Sequence, residues 1–115
     1  MRDDVLLSKS MDFAVRIVNL NKYLSQERNE GVLSKQLLRS GTSIGANVRE
    51  AVYAQSRKDF TSKMSIALKE VSETEYWLEL LYKTEYLTNG QYDSIKTDCS
   101  EVAKLLTAIV KTSKE

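Results

Sequence analysis

Histidine is missing from the chain altogether. Its absence excludes Ser-His-Asp and Cys-His catalysis. It also excludes the carboxylate–histidine di-iron centre that many helical bundles house. Cysteine occurs once, at Cys99, so no intramolecular disulfide can form and a zinc site has too few soft ligands. Proline is missing too, and there are only four glycines in 115 residues. A β-rich or loop-rich chain would need more of both, whereas long helices need neither. No apolar run approaches the length of a membrane span. The start, Met1-Arg2-Asp3-Asp4, turns acidic too early for a secretory leader. These readings predict a cytoplasmic protein with no membrane partner, no metal and no cofactor.

What the chain does have is helical periodicity in four segments. Hydrophobic residues make up 42% and charged residues 29%, enough of each for one packed domain spanning residues 1–115. The first helix is expected from about Ser8 to Leu24, with Phe13, Ile17, Leu20 and Leu24 on one stripe. The second is expected to begin near Ser34 as N-cap and to end near Ala54 or Gln55. Its stripe of Leu37, Gly41, Ile44, Val48 and Ala51 or Val52 lies among small residues, which predicts close approach of another backbone at Gly41 and Gly45. Ser56-Arg57-Lys58-Asp59 resembles a capping box for a third helix, expected from Lys58 to Leu87. Asn89-Gly90 reads as a break, and a fourth helix is expected from Gln91 to Thr112. Short breaks make sequential helices antiparallel, so the expected fold is an all-α, up-down-up-down four-helix bundle.

Several polar residues border the predicted core. Arg39, Ser43, Asn47 and Glu50 fall on one line of the second helix. Folding the second and third helices together brings Arg39 towards Glu73, Glu50 towards Lys63, and Ser43 towards Lys69 or Glu70. This seam, with Gly41, Gly45 and Trp77, reads as architecture that sets helix register. Glu70, Glu73, Glu75 and Glu79 read as an ion-paired or solvated helix face. Cys99 reads as a small core residue. Gly41-Thr-Ser-Ile-Gly45 lies within a helix and is no phosphate loop. With no catalytic constellation, the expectation is a protein that is not an enzyme.

The run Leu38-Arg-Ser-Gly-Thr-Ser-Ile-Gly-Ala-Asn-Val-Arg-Glu-Ala51 is distinctive, as are Asp59-Phe60, Lys63, Ala67-Leu-Lys-Glu70 and Glu73-Thr-Glu-Tyr-Trp-Leu78. Together these motifs resemble the four-helix bundle family of 23S rRNA intervening-sequence proteins, over nearly the whole chain. The family in turn resembles the accessory variability determinant of diversity-generating retroelements. That protein is a basic bundle that forms a ring of five and works with a reverse transcriptase and nucleic acid. The resemblance implies a homo-oligomer, specifically a homopentamer, without enzyme activity.

The formal net charge of +1 argues against a uniformly basic nucleic-acid module. The charge is nevertheless uneven. The bundle end that holds the second turn gathers Arg49, Arg57, Lys58 and Lys63, with Lys104, Lys111 and Lys114. The opposite end is more acidic, with Glu79, Glu85, Asp93 and Asp98. Arg49, Arg57, Lys58 and Lys63 are therefore the candidate nucleic-acid-binding residues, for RNA or DNA. The competing expectation is a protein–protein scaffold that uses apolar side chains off the core stripes: Val15, Val18, Tyr53, Tyr82 and Leu105.

Overall fold

The computed structural model describes residues 2–115; Met1, where the acidic start begins, lies outside the described residues. Four helices follow in order: α1 Arg2–Gln26, α2 Val32–Val52, α3 Arg57–Lys83 and α4 Asn89–Lys114. Each packs on its two neighbours in a square, and the backbones of the diagonal pairs α1/α3 and α2/α4 do not approach closely. Residue pairings run in opposite directions along every seam. Gly41 meets Ile17 and Gly45 meets Ser10, while Arg39 meets Glu73 and Lys63 meets Glu50. The result is an antiparallel bundle 44 × 21 × 20 Å. Its core runs the full length, from Leu6 and Ile109 at one pole to Leu24 and Leu87 at the other. No helix among the described residues is long and apolar enough to cross a membrane.

The stripes put the core residues in place, but the helix ends differ from expectation. α1 extends beyond Ser8–Leu24 in both directions. Ser34 is not an N-cap: α2 starts at Val32, and Ser34 is buried one turn in. The cap comes instead from the Glu30 carboxylate, which accepts the amides of Ser34 at 2.8 Å and Leu33 at 3.2 Å. α3 stops at Lys83, four residues before Leu87. Asn89-Gly90 is the first turn of α4 rather than a break, because Thr88 and Gln91 form a reciprocal capping box at 3.1 and 2.9 Å. The expected box at Ser56 is half made. Ser56 Oγ accepts the Asp59 amide, but Asp59 turns its carboxylate to the Gln55 amide.

The end of α3 has the bonds of a Schellman motif, Tyr86 N–H to Leu81 O and Glu85 N–H to Tyr82 O. The residue in the left-handed position is Glu85, at φ 68°. Glycine has no Cβ to clash there. The variant Glu85→Gly is therefore expected to gain about 1 kcal/mol, read as a rise in thermal midpoint of a few degrees.

Candidate functional site

The polar seam between α2 and α3 assembles largely as a closed network. Arg39 forms an ion pair with Glu73 and stands 3.8 Å from Glu70. Glu73 also accepts the Trp77 indole N–H at 3.0 Å. The indole and then the guanidinium hold the Glu73 carboxyl below its ordinary value. Next to Glu73 in the chain and facing the core, Thr74 donates to Ser40 at 3.0 Å, a wholly buried hydroxyl pair between helices. Lys63 reaches Glu50 at 3.1 Å. Ser43 does not cross to Lys69 or Glu70. Its hydroxyl donates back to the Arg39 carbonyl at 2.6 Å, and Asn47 donates to the Ser43 carbonyl at 2.9 Å. Short polar side chains on a helix readily take the carbonyl of the preceding turn.

Trp77 is the only tryptophan, so its fluorescence reports on this network. A carboxylate with a depressed pKa contributes stability above its unfolded value and loses it as pH falls through its folded value. Trp77 emission is therefore expected to change with a midpoint below 4.5, the ordinary Glu73 value. In Glu73→Gln that transition should vanish.

Gly41 and Gly45 lie on the α1 side of α2. A Cβ at Gly41 would stand 2.8 Å from both γ-carbons of Ile17, and one at Gly45 would stand 3.3 Å from the Ser10 carbonyl oxygen. Towards one pole, the same α1/α2 seam opens into a groove of about 450 Å³ lined by Leu7, Met11, Thr42, Gly45, Ala46 and Arg49. Met11 stands exposed there, and Val15 is exposed one turn further along α1. Of the other apolar residues off the stripes, Tyr53 is exposed at the pole, whereas Val18, Tyr82 and Leu105 are half-buried. Tyr82 stacks on Tyr92, with ring centroids 4.4 Å apart.

At the basic end, either side of the turn Tyr53–Ser56, Arg49 lies in the last turn of α2 and Arg57 and Lys58 in the first turn of α3. All three side chains are exposed. Arg57 Nε donates to the Ser113 carbonyl at 3.3 Å, which ties α3 to the last turn of α4. Arg49 and Lys58 have no ion-pair partner among the described residues. Lys63 stands apart from them, its charge compensated by Glu50. Among the described residues no group of acidic or thiol side chains is arranged to hold a metal ion. Burial pushes the Cys99 thiol up to about 12, which leaves it a poor nucleophile.

The sequence reading missed the polar ties across α1 and α4. Lys9 reaches Glu101 at 2.8 Å, and Arg16 holds Asp98 at 2.6 Å as well as Ser94. It also missed Arg28, which donates to the carbonyls of Tyr86 and Glu85 and so joins the first loop to the third. These contacts join residues far apart in the chain, and helical spacing carries no signal for them.

Residues 2–108 match the family model described as 23S rRNA-intervening sequence protein. The chain is also similar to a protein of unknown function from the S23 ribosomal protein family of Bacteroides thetaiotaomicron VPI-5482, known from a crystal structure. The two are 63% identical, with a TM-score of 0.95, over 96% of this chain and 99% of that one. No curated protein matches.

Proposed function

The chain belongs to the 23S rRNA-intervening sequence protein family, and from that premise we propose that it is a non-enzymatic, oligomeric, cytoplasmic adaptor that associates with RNA. The observation that carries the RNA reading is the exposed trio Arg49, Arg57 and Lys58 at one pole of the bundle, none of them in an ion pair among the described residues. Phosphate oxygens suit such cations and the adjoining α3 N-terminus. The resemblance to the pentameric retroelement determinant supports a ring of five. A ring repeats the pole on one face, so weak contacts add through multivalency. A near-neutral chain can then bind a polyanion.

The test is binding of single-stranded RNA, with DNA alongside, across a salt series. Affinity should fall steeply with salt, and Arg57→Glu with Lys58→Glu should weaken it about tenfold or more. Absence of binding at low salt, or binding unchanged in that variant, removes the RNA reading. The groove at exposed Met11, with Val15 exposed one turn further along α1, favours a second reading, a protein–protein scaffold. Under that reading the oligomer forms and binds no nucleic acid.

A further inference from the structure

Tyr53, at the close of α2, is 81% exposed. Every other aromatic side chain is buried in the core, packed against it or, for Tyr76, set edge-on to Trp77. The Tyr53 ring meets no other ring and no cation among the described residues, so its faces are open. Nothing in the fold asks for a ring at this position. The backbone there, at φ −100° and ψ 19°, suits any residue, and a short polar one would suit a turn better. One exposed large side chain is ordinary on a surface. The charges around this one set it apart.

Arg49 lies one helical turn before Tyr53, and Arg57 and Lys58 open the next helix after it. The Tyr53 amide still bonds the Arg49 carbonyl, at 3.3 Å, so helical geometry reaches Tyr53 and sets both residues on one face of α2. The acids nearest in the chain are engaged: Glu50 with Lys63 at 3.1 Å, and Asp59 with the Gln55 amide at 3.4 Å. Asp3 and Asp4 open α1 at this pole, where they complement the positive end of that helix. The ring is thus flanked in the chain by cations that have no ion-pair partner among the described residues. Cations alone hold a phosphate backbone whatever its bases do. An open ring adds a second kind of contact, because unpaired bases stack on aromatic side chains. In a duplex the bases are stacked on one another and offer the ring no face. A protein partner covering the ring would have to desolvate these cations, whereas a polyanion pairs with them.

We propose that this pole recognises single-stranded RNA by stacking an unpaired base on the Tyr53 ring, with Arg49, Arg57 and Lys58 on the neighbouring phosphates. This rests on the RNA reading above and narrows it to strands whose bases are free. The cations supply affinity that falls with salt. The ring supplies a contact that depends on the base and neutralises no phosphate.

The experiment compares three probes on the full chain at low salt: a short oligoadenylate, an abasic strand of the same length and a blunt-ended RNA duplex. Wild type should bind the oligoadenylate about tenfold more tightly than the abasic strand. Tyr53→Ala should remove that advantage and leave binding of the abasic strand and the duplex unchanged, with circular dichroism confirming the fold. Its salt slope should match that of wild type, because no phosphate contact is lost. Tyr53→Phe keeps the stacking face and should bind as wild type does. In Tyr53→Trp, the oligoadenylate should quench the new indole and the abasic strand should not; wild type, with Trp77 alone, is the control. A wild-type chain that binds none of the probes overturns the RNA reading and this inference together. Binding that weakens in Arg57→Glu with Lys58→Glu but is unchanged in Tyr53→Ala overturns the stacking alone and leaves the RNA reading standing. An equal loss of oligoadenylate and abasic strand in Tyr53→Ala also overturns the stacking, because the ring would then not be reading bases.

Discussion

Gly41→Ala is expected to destabilise the bundle by about 2 kcal/mol, although alanine is the better helix former by about 1 kcal/mol. The added methyl would stand 2.8 Å from Ile17 Cγ1 and Cγ2 and 3.2 Å from Ile17 Cβ. Ile17 is fully buried and β-branched. Its γ-carbons have one strongly favoured arrangement in a helix and no free space to turn into. Relief must come from moving α1 away from α2, which loosens the core along that seam. Ile17→Ala removes both offending carbons and by itself should cost about 3 kcal/mol through the cavity it leaves. In the double variant the methyl introduced by Gly41→Ala occupies part of that cavity. The pair should therefore cost at least 1 kcal/mol less than the two single losses added together. Urea denaturation of the four chains measures the coupling. Strict additivity would show that the Gly41–Ile17 contact does not set the helix spacing.

Gly41 shows why much of this fold was legible in the sequence. A glycine inside an apolar stripe has no local advantage in a helix, so a neighbouring backbone or core side chain is the natural reason for it. The seam was legible for a related reason. Arg39 and Glu50 recur along a single helix line, and the short turn at Ser56 fixes which α3 residues face them, so Glu73 and Lys63 follow. Ser43 was misplaced because a short hydroxyl can bond either across the seam or to its own helix, and spacing does not separate the two. The helix ends were read less well than the stripes. Asn89-Gly90 carries a turn signature, yet Thr88 and Gln91 cap a helix through it. Glu85 takes a left-handed conformation that its residue type does not advertise. At the candidate site, charge clustering found the pole, but it counted Lys63 there even though the seam spacing already paired that residue with Glu50. The groove at Met11 and Ala46 is lined by side chains of two helices together, which no single stripe encodes.

The largest consequence of a misread end concerns Glu30. Glu30→Ala is expected to cost about 2 kcal/mol. Glu30 is only 8% exposed, and its two carboxylate oxygens accept the amides of Ser34 and Leu33. These are among the first amides of α2, which have no partner within the helix. Gly31, the formal N-cap, offers no side-chain oxygen to replace the carboxylate. Ser34 lies inside the helix rather than at its N-cap, and its hydroxyl points back to the Glu30 carbonyl, to which it donates at 2.7 Å. Truncation thus leaves a buried amide at Ser34 without an acceptor, at the point where α2 joins the core through Leu37. The negative charge also complements the positive end of the α2 dipole. Glu30→Gln keeps one acceptor oxygen in place but loses that charge, so it should fall between wild type and alanine, at about 1 kcal/mol. Amide hydrogen exchange localises the effect. Leu33 and Ser34 should lose protection in Glu30→Ala, while α4 exchanges at rates set by the lowered global stability alone. If Glu30→Gln and Glu30→Ala cost the same, the charge rather than the acceptor geometry holds the start of α2.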